Sequence, residues 1–222
     1  DGLIIDGSAN PGFYGAIGVE GDTLTIFRGD VTQMEAKREL DATGKVICPG
    51  FIDVHAHSAL MILADPKHEP KVHQGITTEL IGIDGNSYAP FKSEKDLKWM
   101  IDLNSGLEGR PDLPGTWLNV SEYLAMYDKK VAVNVAYILG NSPIRIWGVG
   151  WDDRAASRTD MENMKSVIRE SMEEGAFGMS TGLDYPPGSY ADTNELMELS
   201  TEVARLGGIY HPHVRYQLGD KF

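Results

Sequence analysis

Residues 49–57 read Pro49-Gly50-Phe51-Ile52-Asp53-Val54-His55-Ala56-His57, an apolar segment that opens on Pro-Gly and runs out into two histidines two positions apart. In an extended strand alternate residues share a face, so Asp53, His55 and His57 are expected to point together while Ile52 and Val54 pack the other side. Two imidazoles on one face at a strand end suit chelation of zinc or a related divalent ion, and Asp53 stands where a carboxylate can orient a ligand ring. The competing reading is a pair of surface histidines in a loop.

Outward from this segment the chain repeats one rhythm: a short apolar strand ending in polar residues, then a helix. Strands are expected at 51–55, 78–83, 131–139, 177–180 and 209–213. Ser93-Glu94-Lys95-Asp96 has the form of a capping box opening a helix over 97–103. Asp192 with Glu195 starts another over 196–206, stopped by Gly207-Gly208. Residues 161–174 carry Met161, Met164, Val167, Ile168 and Met172 on one helical face, with Gly175 just past the end. Alternating strands and helices imply an α/β fold with a parallel sheet, open or closed as a barrel. The 222 residues are fewer than the roughly 250 of a full eightfold barrel. Residues 1–47 differ from the rest. Short runs such as Leu3-Ile4-Ile5 and Thr23-Leu24-Thr25-Ile26-Phe27, separated by Gly, Asp, Asn and Pro, predict a small antiparallel sheet without helix.

Other candidate site residues gather at the ends of the expected strands. Tyr210-His211-Pro212-His213 repeats the His-x-His spacing, and one of its two histidines can reach the centre that strand ends share; spacing alone does not say which. Asp84, in Ile83-Asp84-Gly85-Asn86, is an acid at the carboxyl end of a strand, where parallel sheets collect active-site groups, although Asp-Gly-Asn is also ordinary turn chemistry. The loop Thr181-Gly182-Leu183-Asp184-Tyr185-Pro186-Pro187-Gly188 offers hydroxyl, phenol and carboxylate groups to a pocket. Arg215 suits an anionic substrate, or equally an ion pair with an acid of the chain itself. His68 and His73 lie in a polar stretch and are expected to face solvent.

Thirty-three Asp plus Glu against twenty Lys plus Arg give a net charge of −13, which disfavours nucleic acid and anionic membrane as partners. With 41% hydrophobic and 24% charged residues the composition is that of a folded globular chain. The single cysteine, Cys48, allows no intramolecular disulfide and no cysteine-rich zinc cluster. No apolar run is long enough to span a membrane and the chain opens without a leader-like segment, so a soluble, cytoplasmic protein is expected.

The run Val46-Ile47-Cys48-Pro49-Gly50-Phe51-Ile52-Asp53-Val54-His55-Ala56-His57 resembles the first barrel strand of the amidohydrolase superfamily, following its N-terminal β-sandwich segment. Three further stretches narrow the resemblance to the D-aminoacylase branch, the N-acyl-D-amino-acid deacylases. They are Gln74-Gly75-Ile76-Thr77-Thr78-Glu79 with residues 84–90 after it, residues 175–188 with their Ser-Thr-Gly-Leu-x-Tyr-Pro-Pro-Gly, and residues 207–215 ending in His-x-Arg. The resemblance implies a (β/α)8 TIM-type barrel of the metal-dependent hydrolases, incomplete here with about five strands. Residues 1–47 would be part of a small β-sandwich domain and residues 48–222 the first part of the barrel. It implies one or two zinc ions, with another divalent metal as the alternative, held by His55 and His57 on the first strand and His213 on the fifth. Asp84 falls where the family carries a metal-binding cysteine, and an aspartate coordinates zinc through oxygen instead. His211 is at a position the family does not generally use for metal, leaving it to a supporting role beside Asp53. Tyr185 matches a residue that lines the substrate pocket.

The implied reaction is hydrolysis of the amide of an N-acyl-D-amino acid, a small-molecule substrate. The general-base aspartate is expected beyond residue 222, and the remaining strands are expected from a C-terminal part or another chain. A hydantoinase- or dihydroorotase-like cyclic-amide hydrolase is the rival enzyme reading, but such relatives commonly use a strand-four lysine and none lies in 177–181. A non-catalytic truncated metal-binding relative is the third reading.

Overall fold

A computed structural model of the chain describes residues 2–29, 31 and 35–213. The chain divides into two compact units, Asp1–Gly50 and Phe51–Phe222. The first holds β1 (Gly2–Ile4), β2 (Phe13–Glu20), β3 (Thr23–Phe27) and β4 (Val46–Ile47) in one sheet of order β3-β2-β1-β4. The expected antiparallel pairing holds for β1 with β2 and β2 with β3, whereas β4 joins β1 in parallel. β2 and β3 are joined through Gly21 and Asp22, and Gly21 takes a φ of 63°, the left-handed backbone that a two-residue hairpin loop asks for.

The second unit runs β5 (Phe51–Asp53), α1 (Ala59–Ala64), α2 (Glu69–Val72), β6 (Ile76–Ile81), α3 (Glu94–Leu103), α4 (Ser105–Glu108), α5 (Val120–Tyr127), β7 (Asn134–Tyr137), β8 (Leu139–Gly140), α6 (Asn141–Gly148), α7 (Arg158–Glu173), β9 (Gly178–Gly182), α8 (Thr193–Arg205) and β10 (Ile209–His213). Two parallel sheets form, β5-β6-β7 and β8-β9-β10, each in chain order. Backbone bonds from Ile138 N–H to Ile81 O (3.0 Å) and from Phe177 N–H to Tyr137 O (2.7 Å) link them, so the segment from β7 to β8 is one strand broken at Ile138. All five expected strands are present. The first ends at Asp53 rather than residue 55, and the fourth runs on to Gly182.

Alternation along the strands separates two apolar clusters. Ile81, Tyr137, Leu139 and Met179 join the main core with Leu60 and Ile62 of α1, Met100 of α3, Tyr123 of α5, Ile168 of α7 and Leu199 of α8, while Leu80, Ile83 and Ile138 form a small second cluster. Aromatic contacts knit the main core, with Trp117 stacked on Tyr123 at 4.7 Å and Tyr137 edge-on to Tyr123 at 5.3 Å. The edge strands are bare by contrast: Phe51, Ile52 and Val54 at one end and Ile209 and Tyr210 at the other are exposed.

Helix starts follow their caps. Ser93 accepts the Asp96 N–H, but the Asp96 carboxylate takes the Ser93 hydroxyl at 2.7 Å. Asp192 accepts the Glu195 N–H at 2.8 Å, and Glu195 turns inward to the fully buried Arg145. Ser157 with Asp160 and Asn119 with Glu122 form reciprocal capping boxes. The helix at Asn141–Gly148, short and with residues 141–146 buried, is not among the helices expected from the sequence.

Glu108 is a buried acid with no Lys or Arg partner among the described residues. Glu108, 5% exposed, closes α4 and accepts the Leu60 N–H at the start of α1 at 3.3 Å. Burial pushes its carboxyl from 4.5 up to about 7. The native state therefore holds this proton more tightly than the unfolded chain does. Its contribution to stability is full below pH 4.5, falls as pH rises to about 7 and stays lost above. Glu108→Gln in the full-length protein is expected to gain about 3 kcal/mol over the parent at pH 8 and nothing at pH 4, read from denaturant unfolding at both values. An equal difference at the two pH values contradicts this.

Candidate metal centre

The two histidines of residues 49–57 meet at one point by a route that differs from simple strand alternation. β5 stops at Asp53, whose Oδ1 accepts the His55 N–H at 3.0 Å and turns the chain out of the strand. The Asp53 carboxylate pairs with Lys71 of α2, whose ammonium holds it below the usual carboxylate range. Among the described residues the Asp53 carboxylate is bonded to the Lys71 ammonium and the His55 backbone N–H, not to an imidazole ring nitrogen. It acts on His55 through the backbone.

Opposite them the turn after β6 carries Asp84. Gly82, Asp84 and Gly85 all have positive φ (83°, 55° and 70°), and aspartate is among the few non-glycine residues that tolerate this conformation. A Cβ on Gly82 would lie 2.0 Å from Ile138 O and one on Gly85 2.2 Å from Gly182 N, so the turn packs directly on neighbouring backbone. Ser180 of β9 accepts the Gly85 N–H at 3.0 Å and donates its hydroxyl to Gly82 O; the Tyr185 hydroxyl donates to Asp84 O. The fully buried Ser180 and the Tyr185 phenol thus fix the backbone that presents Asp84.

The Asp84 carboxylate is the focus. Its Oδ2 lies 3.0 Å from His57 Nε2 and 3.3 Å from His55 Nε2, and its Oδ1 lies 3.3 Å from Nδ1 of His213 at the end of β10. The other nitrogen of His213, Nε2, lies 3.2 Å from Asp184 Oδ2. A ring nitrogen of His211 lies within 4.8 Å of both a ring nitrogen of His55 and a carboxylate oxygen of Asp84. Burial lowers the His57 imidazole below its ordinary 6.5, against the pull of the Asp84 carboxylate and with smaller contributions from His55 and His213. Neutral imidazole is the form that donates a lone pair to a metal. Asp84 Oδ1 and His211 Nδ1 are both buried without a hydrogen bond. Buried polar atoms are rarely left so, and a nitrogen- and oxygen-binding cation satisfies both. The donor set, imidazole and carboxylate without thiolate, fits zinc and its neighbours.

The remaining sequence expectations divide. Tyr185 lies beside the centre, its ring 6.3 Å from that of His213. Arg215 lies outside the described residues. His73 is exposed as expected, but His68 is not. It is 8% exposed, with Nε2 2.9 Å from Oε1 of the fully buried Glu79, which also draws the Ser58 hydroxyl and, at 3.5 Å, the Lys71 ammonium. The physical reason is pairing, since a polar segment next to a buried acid supplies its donors. The sequence signal is Glu79 itself, the one charged residue of its strand. Asp184 was visible only as one of several polar groups in its loop, and its contact with His213 depends on β9 and β10 lying side by side.

Residues 38–207 match the profile of the Amidohydrolase family. A D-aminoacylase of Alcaligenes xylosoxydans xylosoxydans is 34% identical over 214 residues, covering 96% of this chain and 43% of the relative. Among solved structures, a D-aminoacylase described by the functional role of its binuclear metal centre aligns with a TM-score of 0.79 at 32% identity. An N-acyl-D-glutamate deacylase from Bordetella bronchiseptica, complexed with zinc and a phosphonate mimic of the tetrahedral intermediate, aligns with a TM-score of 0.83 at 31% identity. Each structural alignment covers 97% of this chain and 44% of the other. The chain spans less than half the length of these relatives.

In the metal-free protein His57 is expected to titrate below 6.5, and Asp84→Asn to lower it further, because the carboxylate is what opposes burial. Imidazole proton resonances followed against pH check this; a rise on Asp84→Asn contradicts the assignment of the two causes.

Proposed function

The chain belongs to the amidohydrolase family, and on that footing we propose that it is part of a metal-dependent hydrolase cleaving the amide bond of N-acyl-D-amino acids. The observation that carries the reading is the buried Asp84 carboxylate with imidazoles of His55, His57 and His213 at 3.0–3.3 Å and one of its oxygens without a hydrogen bond. Five parallel strands in chain order support residues 48–222 as the first part of a (β/α) barrel, with residues 1–47 contributing to a β-sandwich. Exposed Phe51, Ile52, Val54, Ile209 and Tyr210 on the two edge strands support completion of the barrel by further strands. Among the described residues no helix is long and apolar enough to cross a membrane.

His55, His57, Asp84 and His213 are the residues that would hold the metal, one or two zinc ions by analogy with the relatives. When bound, zinc lowers the pKa of a coordinated water towards 7 and polarises the scissile carbonyl. The chain's own groups do the rest. Asp184 Oδ2 lies 3.2 Å from His213 Nε2, placed to hold the ring with Nδ1 toward the Asp84 carboxylate. Asp53 holds the His55 backbone, and Lys71 holds Asp53. Tyr185 locks the Asp84 carbonyl and stands at the mouth of the centre to contact substrate. Arg215 would meet the substrate carboxylate in a paired hydrogen-bond geometry. The general base, an aspartate, would come from the strands that complete the barrel. β9, Gly178–Gly182, carries no lysine, which sets the chain apart from cyclic-amide hydrolases built on a bridging lysine.

His55→Ala and His57→Ala in the full-length protein are each expected to remove most bound zinc and lower hydrolysis of N-acetyl-D-amino acids by ~100-fold or more. Metal analysis and a ninhydrin assay of the released amino acid measure both. Parental metal content and turnover in both variants would overturn the reading.

A further inference from the structure

We propose that His211 is a metal ligand of this centre, a fourth imidazole beside those of His55, His57 and His213; the inference rests on the metal-dependent reading above. In β10 the register Ile209↔Gly178 to His213↔Gly182 makes His211 and His213 alternate residues of one strand, and the period of two sets both side chains on the same face. Both are partly buried, whereas Tyr210 and Pro212 between and before them are exposed. The His211 ring lies 5.2 Å from the His55 ring, tilted 40°. One ligand atom each from His55, Asp84 and His211 falls within a 4.8 Å group, a separation that a single ion closes with small side-chain adjustments.

The hydrogen-bond pattern separates His211 from a histidine that merely packs. A structural histidine at this depth pairs its buried nitrogen. Nδ1 of His211 is buried and makes no hydrogen bond, as does Oδ1 of Asp84. His68 is the contrast: its Nε2 is paired with Glu79 at 2.9 Å. The chemistry gives a reason for the extra donor. An aspartate oxygen is a harder and less tightly held zinc ligand than a thiolate, and a further borderline nitrogen donor compensates for it. Asp84 also presents its two oxygens to different histidines, Oδ2 to His55 and His57 and Oδ1 to His213, so His211 enters on the side shared by His55 and the carboxylate.

The test uses the full-length protein with zinc and cobalt(II) as probes. His211→Asn is expected to weaken zinc affinity by ~10–100-fold in chelator competition, to change the visible spectrum of the cobalt(II) protein, and to leave the circular dichroism of the fold unchanged. His73→Asn, as a control at an exposed histidine, is expected to change neither metal readout. Zinc X-ray absorption on the parent protein counts imidazoles without any variant, and serves if His211→Asn does not fold. Unchanged affinity and spectrum in His211→Asn, or an absorption fit with no imidazole beyond those of His55, His57 and His213 and any from the completing strands, overturns the inference. The two readings fail separately. If His55→Ala loses zinc and His211→Asn does not, only the role of His211 falls; if both retain it, the metal-dependent reading falls as well.

Discussion

A carboxylate buried at the ends of parallel strands needs positive charge or hydrogen-bond donors, and at Asp84 the groups the fold supplies are imidazoles. Taking an ionised acid out of water costs several kcal/mol unless it is paired. Every segment around Asp84 is arranged to meet that demand. The chain leaves β5 early to bring His55 and His57 over, β10 ends on His213, and Ser180 and Tyr185 grip the backbone of the turn from β9 and its loop. The left-handed backbone at Asp84 and its flanking glycines let that turn lie flush against Ile138 and Gly182. A side chain at Gly82 or Gly85 would push the turn outward and with it the carboxylate.

A second buried acid shows that this arrangement is not simply how the fold treats carboxylates. Glu79 lies on β6 only five residues before Asp84 and is fully buried, yet it receives a hydroxyl from Ser58, an imidazole nitrogen from His68 and an ammonium from Lys71. Its hydrogen-bonding capacity is met by donors, and the residues around it form a closed structural set. That set is coupled to the centre through Lys71, which reaches both Glu79 and Asp53, and through Asp53, which holds His55. Around Asp84 the facing groups are the imidazoles of His55, His57 and His213, and one of its oxygens has no hydrogen bond. Glu79 is satisfied by donors of the protein, whereas Oδ1 of Asp84 has no hydrogen bond.

Much of this was legible in the sequence for a definite reason. Strand signals such as Ile209-Tyr210-His211-Pro212-His213 are local, and the strand found there has the bounds expected. Strand-end position marked His55, His57 and Asp84 as candidates, whereas the choice of His213 over His211 and of Asp84 as a ligand came only from the family resemblance; the structure brings the four together. What escaped depended on contacts between segments distant in sequence. Asp53 reaches His55 through the backbone N–H rather than the ring, because its side chain caps the turn where the strand stops. His68 was taken for a surface residue because its partner Glu79 is eleven positions away on another element. The pairing of Asp184 with His213 exists only once β9 and β10 are adjacent.

The most direct measurement is anomalous diffraction at the zinc edge from crystals of the full-length protein grown with zinc. The account predicts a peak about 2.0–2.2 Å from a carboxylate oxygen of Asp84 and from the nitrogens of His55 and His57. A full-occupancy zinc peak elsewhere, or none within bonding distance of Asp84, would contradict it.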